Sequence, residues 1–209
     1  MNRRNWTLYP VTAVLCLVLS GPVLAADNLI ANPGFETGDF TGWTLAGPVE
    51  DNTFVSTAGW NEWLPHSGDY FAALGAVGSD VFLSQDLATT AGQSYTIRFF
   101  LGSDGETPND FTALWNGSTL LSLTDEPETP GHDLINGPPA AAYVFYSFTE
   151  VATGPTTTVQ FNTRNDPGWW AFDDISVTAV PEPSSLALSG IGFATLAGYA
   201  RRQRRRAVV

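Results

Sequence analysis

Between Asp27 and Val180 the apolar side chains return at every second position, and this spacing limits the available folds more than any other feature. In "SYTIRFFL", Tyr95, Ile97, Phe99 and Leu101 alternate with Thr96, Arg98 and Phe100. Alternation of this kind gives a strand one face for a core and one for water, whereas a helix needs a repeat of about 3.6. "DFTALWN" and "STLLSL" flank Asn116-Gly117, the dipeptide of a tight hairpin. "NLIAN", "WTLAG", "YFAALGA", "VFLSQDL", "AAYVFYSFTE", "TTTVQFNT" and "AFDDISVTAV" continue the pattern between Gly- and Pro-bearing turns. About ten short strands with regular turn signals predict an all-β fold, a single antiparallel β-sandwich of jelly-roll type. The least regular stretch, Thr124 to Ala140, reads as a long loop.

The two ends obey different rules. Residues 1–25 carry Arg3 and Arg4, the apolar run "VTAVLCLVLS" and a "GPVLA" exit. These are the parts of a secretory signal peptide, so the Sec export machinery and signal peptidase are expected partners, with cleavage after Ala25. The single cysteine, Cys16, leaves with that segment. Thiol catalysis, disulfides and thiolate metal sites are therefore excluded from the remainder. Residues 27–180 hold twenty carboxylates against Arg98 and Arg164, a net of −18, whereas the whole chain carries −12. A field of that sign repels nucleic acid and suits an acidic, solvated surface.

Ser185 to Ala200 contain no charge, and Arg201, Arg202, Arg204, Arg205 and Arg206 follow. Sixteen helical residues would span ~24 Å, slightly short of a ~30 Å hydrocarbon core. The predicted element is a single hydrophobic, marginally transmembrane helix whose arginines stay cytoplasmic. Pro181-Glu182-Pro183 precedes it, and proline holds the backbone extended and open to a protease. This order of parts, from Val180 to Arg206, resembles the PEP-CTERM sorting signal of Gram-negative bacteria. The resemblance implies an exosortase-type membrane protease, cleavage near Pro181–Pro183, and delivery to the cell surface or medium. A permanent single-span anchor is the alternative. The expected organisation is a signal peptide at 1–25, a sandwich at 26–179 and a sorting signal at 180–206.

"NLIANPGFETGDFTGW" (28–43), "LSQDLATTAGQSYTIRFFL" (83–101) and "WWAFDDISV" (169–177) resemble, in this order, the galactose-binding-like jelly roll of many carbohydrate-binding modules. In that fold the domain ends are neighbours joined by a structural Ca²⁺, which implies Glu36 and Asp173 as side-chain ligands. Two hard carboxylates near backbone carbonyls suit that ion. By parity, Asp173 shares the buried face with Ile175 and Val177, and Asp174 faces solvent. The competing reading is a pair of surface acids, or an Asp accepting backbone N–H bonds. "DGETPND" (104–110) lacks the alternation of a calcium loop and reads as a strand connection.

Trp60, Trp63, Trp169 and Trp170 are turn-adjacent and are the candidates for stacking on a sugar ring, with packing beneath a loop as the alternative. Trp115 shares a face with Phe111 and Ala113 and is assigned to the core. His66 and His132 are the only histidines, and Ser67 beside His66 is adjacency rather than a triad. The expected protein is an exported, non-catalytic surface, biofilm or extracellular-matrix component that binds extracellular polysaccharide. A structural or adhesive protein without glycan binding is the second reading, and a glycan hydrolase the third.

Overall fold

The computed structural model describes residues 26–49, 52–58, 63–130 and 143–181, with five further positions between 192 and 199. Residues 1–25, Trp60, Glu182, Pro183 and the arginine cluster 201–206 lie outside the described residues. No helix among the described residues is long and apolar enough to cross a membrane, and most of the expected span 185–200 also lies outside them.

Ten strands form the domain among the described residues: β1 (Thr44–Ala46), β2 (Thr53–Thr57), β3 (Tyr70–Leu74), β4 (Val81–Ala88), β5 (Ser94–Ser103), β6 (Asn109–Trp115), β7 (Ser118–Thr124), β8 (Val144–Val151), β9 (Thr156–Asn165) and β10 (Trp170–Ala179). One five-stranded sheet runs β1-β4-β9-β6-β7 and the other β2-β3-β10-β5-β8. All pairings are antiparallel. The chain is an all-β sandwich, as the two-residue repeat predicts.

The alternation explains which face each strand buries. Val81, Leu83 and Leu87 of β4 face Val159 and Phe161 of β9 across the same inner surface, while Phe82, Ser84 and Asp86 point outward. Phe99, Phe111, Phe161 and Phe172, from four different strands, meet between the sheets. Phe161 and Phe172 lie edge to face at 4.7 Å, and Phe99 and Phe161 at 5.3 Å. Each such burial contributes roughly 1.5–3 kcal/mol, with a smaller increment from ring geometry. Asn116 and Gly117 both take positive φ, 48° and 83°, as a tight β6–β7 hairpin requires.

A second, smaller core lies on the outside of the β2-β3-β10-β5-β8 sheet. Trp63, Phe71, Ala73, Tyr143 and Ala171 pack there, with Phe100 at the margin. The segment around Trp63 thus lies over the outer face of this sheet and buries part of it.

Candidate functional site

Near the middle of β10, Asp173 pairs with Phe100 and Ser176 with Arg98, so Asp174 and Ile175 together oppose Phe99. This β-bulge reverses the alternation. Phe172, Ile175 and Val177 point into the main core, and Asp173 joins Ala171 on the outer face, beneath the Trp63 segment. The parity argument that grouped Asp173 with Ile175 and Val177 is therefore corrected, although Asp173 is fully buried. Asp174 holds a left-handed conformation at the bulge, φ 51°, and is half-buried instead of open to solvent.

The bulge aims two adjacent carboxylates at one loop. Asp173 Oδ2 accepts the backbone N–H groups of His66 at 2.8 Å and Ser67 at 3.3 Å, and its Oδ1 accepts that of Asp174 at 2.7 Å. Asp174 Oδ2 lies 2.6 Å from His66 Nδ1, and Asp174 Oδ1 accepts the Ser67 hydroxyl at 2.8 Å. Ser67 and His66 thus share one carboxylate and do not form a serine–histidine pair. From the other end of the domain, Glu36 accepts the N–H groups of Asp69 at 3.1 Å and Tyr70 at 3.2 Å. Its loop is anchored by Phe35, fully buried and stacked on Trp43 at 5.9 Å. Gly34 sits among the acids: a Cβ there would stand 3.4 Å from Oδ1 of both Asp173 and Asp174.

Electrostatically this knot is out of balance. Burial first, then the charge of Asp174, pushes the Asp173 carboxyl up to about 8, against the three backbone donors that favour its ionised form. The carboxylates and the Ser67 hydroxyl supply hard oxygens, the chemistry a calcium ion takes, beside the nitrogen of His66 Nδ1. Among the described residues no group of three or more His, Cys, Asp or Glu stands at metal-ligand spacing.

The tryptophans are placed differently from expectation. Trp63 is fully buried against Tyr143, at 5.6 Å between rings. Trp170 is buried in the main core, where its indole N–H reaches the carbonyls of Asp110 at 3.1 Å and Arg164 at 3.0 Å. Neither offers a ring face to a sugar, which corrects their assignment as stacking platforms. Both carry too much apolar area to be left at a turn that the sandwich covers. Trp169 is half-buried, so tight on Gly75 that a Cβ there would come within 2.3 Å of its ring, and its backbone N–H donates to Asp104. Trp115 is in the core, as its parity predicts.

Two other surfaces bring recognition chemistry together. On the outside of the β1-β4-β9-β6-β7 sheet, Thr158, Gln160, Asn162 and Arg164 form an outward row along the central strand β9. Phe82 and Thr112 flank Asn162 from β4 and β6, and Asp110 stands beside Arg164. Gln160 donates to Asn162 at 2.7 Å, and Arg164 is tied to Asp166. Burial and the charge of Asp80 raise the Asp110 carboxyl above its usual range. On the other sheet, His66 stacks on Phe100 at 3.5 Å, and Phe100 meets Phe145, which is 51 % exposed. Neither surface was singled out in the sequence, although the alternate polar positions of "TTTVQFNTRN" were the available signal.

At the chain's exit, β10 remains paired through Ala179, the Val180 N–H donates to the Ser94 carbonyl at 2.8 Å, and Pro181 is exposed. Residues 179–206 match the family model of the PEP-CTERM protein-sorting motif. The tail is a PEP-CTERM motif. It marks the chain for export, and the sandwich ends where the PEP-CTERM segment begins. The sandwich itself is similar to a CBM61 module solved with β-1,4-galactotriose, at TM-score 0.55 and 21 % identity over 74 % of this chain and 100 % of that one. It is also similar to the CBM22-1 xylan-binding domain of a Paenibacillus barcinonensis protein, at TM-score 0.50 and 16 % identity over 78 % of this chain and 100 % of that one. Upstream of the PEP-CTERM motif the fold is thus a galactose-binding-like jelly roll, the fold that these two modules share. A search of curated protein sequences found no match.

Proposed function

We propose that this is an exported, non-catalytic protein whose sandwich binds extracellular polysaccharide on the outer face of the β1-β4-β9-β6-β7 sheet. An exosortase-type protease processes its tail. The observation that carries the reading is the row along β9: amides, a hydroxyl and a guanidinium in one line, with the Phe82 ring beside them. Sugar hydroxyls need such donors and acceptors, and the C–H face of a pyranose packs on an aromatic ring. The ligands of the two similar modules, a galactotriose and xylan, support the ligand class.

Affinity electrophoresis of the secreted protein through gels containing galactan, xylan or the producer's own polysaccharide tests this. Retardation by at least one polysaccharide is expected, and Gln160→Ala with Asn162→Ala weakens it at least tenfold. Unretarded migration in every gel removes the reading. Calcium belongs to the same proposal, held by Glu36 and Asp173 with backbone carbonyls as structural support for the 66–70 loop. The exposed Phe145 beside Phe100 and His66 favours a second reading, an adhesive contact with another protein. Loss of surface association in Phe145→Ser with glycan retention intact selects that reading.

A further inference from the structure

The connections beside the β10 exit differ in charge from those at the opposite end of the sandwich. Where β10 runs out, the connections 89–93, 116–117 and 152–155 and the exit 180–181 contain no charged residue. At the opposite end, each of the connections 75–80, 104–108, 125–130 and 166–169 holds a carboxylate, Asp80, Asp104, Asp125 and Asp166 among them.

These uncharged connections are also tightly laced. Gly92 N–H donates to the Ala152 carbonyl at 2.8 Å, Ala152 N–H to Gln93 at 3.0 Å and Thr89 N–H to Pro155 at 2.9 Å. The exit is clamped into this platform, because Gln93 Nε2 donates to the Val180 carbonyl at 2.6 Å while Val180 N–H donates to Ser94 at 2.8 Å. The chain also enters here. Leu29 N–H donates to Val177 and Ile175 N–H to Pro33, so the segment from Asn28 runs antiparallel to β10.

Only Pro181 to Ser184 separate the clamp from the apolar stretch 185–200. Four extended residues reach about 14 Å. Five strands side by side cover roughly 20 Å, so a protease cutting within that link must touch these connections. The far carboxylates stand a strand-length away, roughly 30 Å, about three Debye lengths at ordinary ionic strength. Asp27, Asp86 and Glu150 stand nearer and flank the uncharged connections.

We propose that the patch formed by 89–93, 152–155 and the Gln93–Val180 clamp is the docking surface for the membrane protease that processes the tail. The same clamp confines the cut to the C-terminal side of Val180. This rests on the reading that the tail is processed.

The test is pulse-chase of the full-length chain in a bacterium that carries the protease, with mass spectrometry of the mature product. The expected product ends at or beyond Val180. Thr90→Glu with Ala91→Glu slows conversion at least fivefold, whereas Val77→Glu with Ser79→Glu at the far end leaves it unchanged. Equal melting temperatures of the two pairs exclude a folding effect. A photo-crosslinking residue at Ala91 traps the protease, and a ten-residue Gly/Ser spacer after Val180 restores speed to the slow pair. A wild-type rate for Thr90→Glu/Ala91→Glu, a mature terminus upstream of Val180, or crosslinks to lipid alone overturns the proposal while leaving processing intact. A mature protein that retains Arg201 to Arg206 removes the processing reading itself, and the docking surface with it.

Discussion

Asp173 is buried yet accepts three backbone N–H groups, so it stitches the 66–67 turn to its own strand. Asp173→Ala would leave those donors without their acceptor, at about 1–3 kcal/mol for each one that water does not reach. We expect a loss of several kcal/mol, measured by urea unfolding. Its raised carboxyl also fixes a pH dependence. In the folded state the group binds its proton up to about 8, against an ordinary value of 3.8, so between these values the native state holds more protons than the unfolded one. In EDTA this contribution is complete below the ordinary value and is lost as pH rises toward 8. The melting temperature therefore falls over that window, and added Ca²⁺ flattens the slope and raises the pH 8 value. Identical melting curves with EDTA and Ca²⁺ would remove the ion from the proposal. Trp170→Ala, by contrast, empties a core position and should cost roughly 3–5 kcal/mol, a stability defect rather than a binding one. Sequence neighbours made Trp63 and Trp170 look like loop residues, and only the covering segment and the fully paired β10 show that both are inside.

At the level of elements, the bulge in β10 decides which residues meet. An extra residue in one strand leaves no mark on composition, and the run "FDDIS" reads equally well with or without it, so alternation misassigned Asp173 and Asp174. The strand count was legible, but partly by compensation. "NLIAN" is bonded to β10 without forming a strand of its own, whereas β2, Thr53–Thr57, was not singled out. The hairpin at Asn116-Gly117 was fully legible because its turn demands positive φ. Asp174 takes the same left-handed region inside a strand, where a β-branched residue is strained by about 1–3 kcal/mol. Asp174→Ile should therefore destabilise the fold by more than Asp174→Asn, whose short polar side chain tolerates that conformation. Denaturant midpoints of the two variants check this, and equal midpoints would argue against the bulge.

Across the whole molecule, the net −18 of residues 27–180 selects among ligands before any contact is made. The β9 row has a single cation, Arg164, and it is already paired with Asp166 while Asp110 stands beside it. Neutral polysaccharides should bind with little response to salt, and polyuronates should bind at least tenfold more weakly at low ionic strength. Titrating both glycan types at two salt concentrations measures the difference. Charge and export were readable from the sequence because they are sums and segments. The recognition row was not, because it depends on which strands lie side by side.

β9 and β10 are the third strands of their respective sheets, with two neighbours on either side, yet they are the last two to be made. Until residue 165 has emerged, each sheet consists of two halves with a gap between them, and the sheet centred on β10 stays so until residue 179. Translation order therefore keeps the domain unfinished until nearly all of it has been made. Compaction waits for the strand that leads directly into the tail.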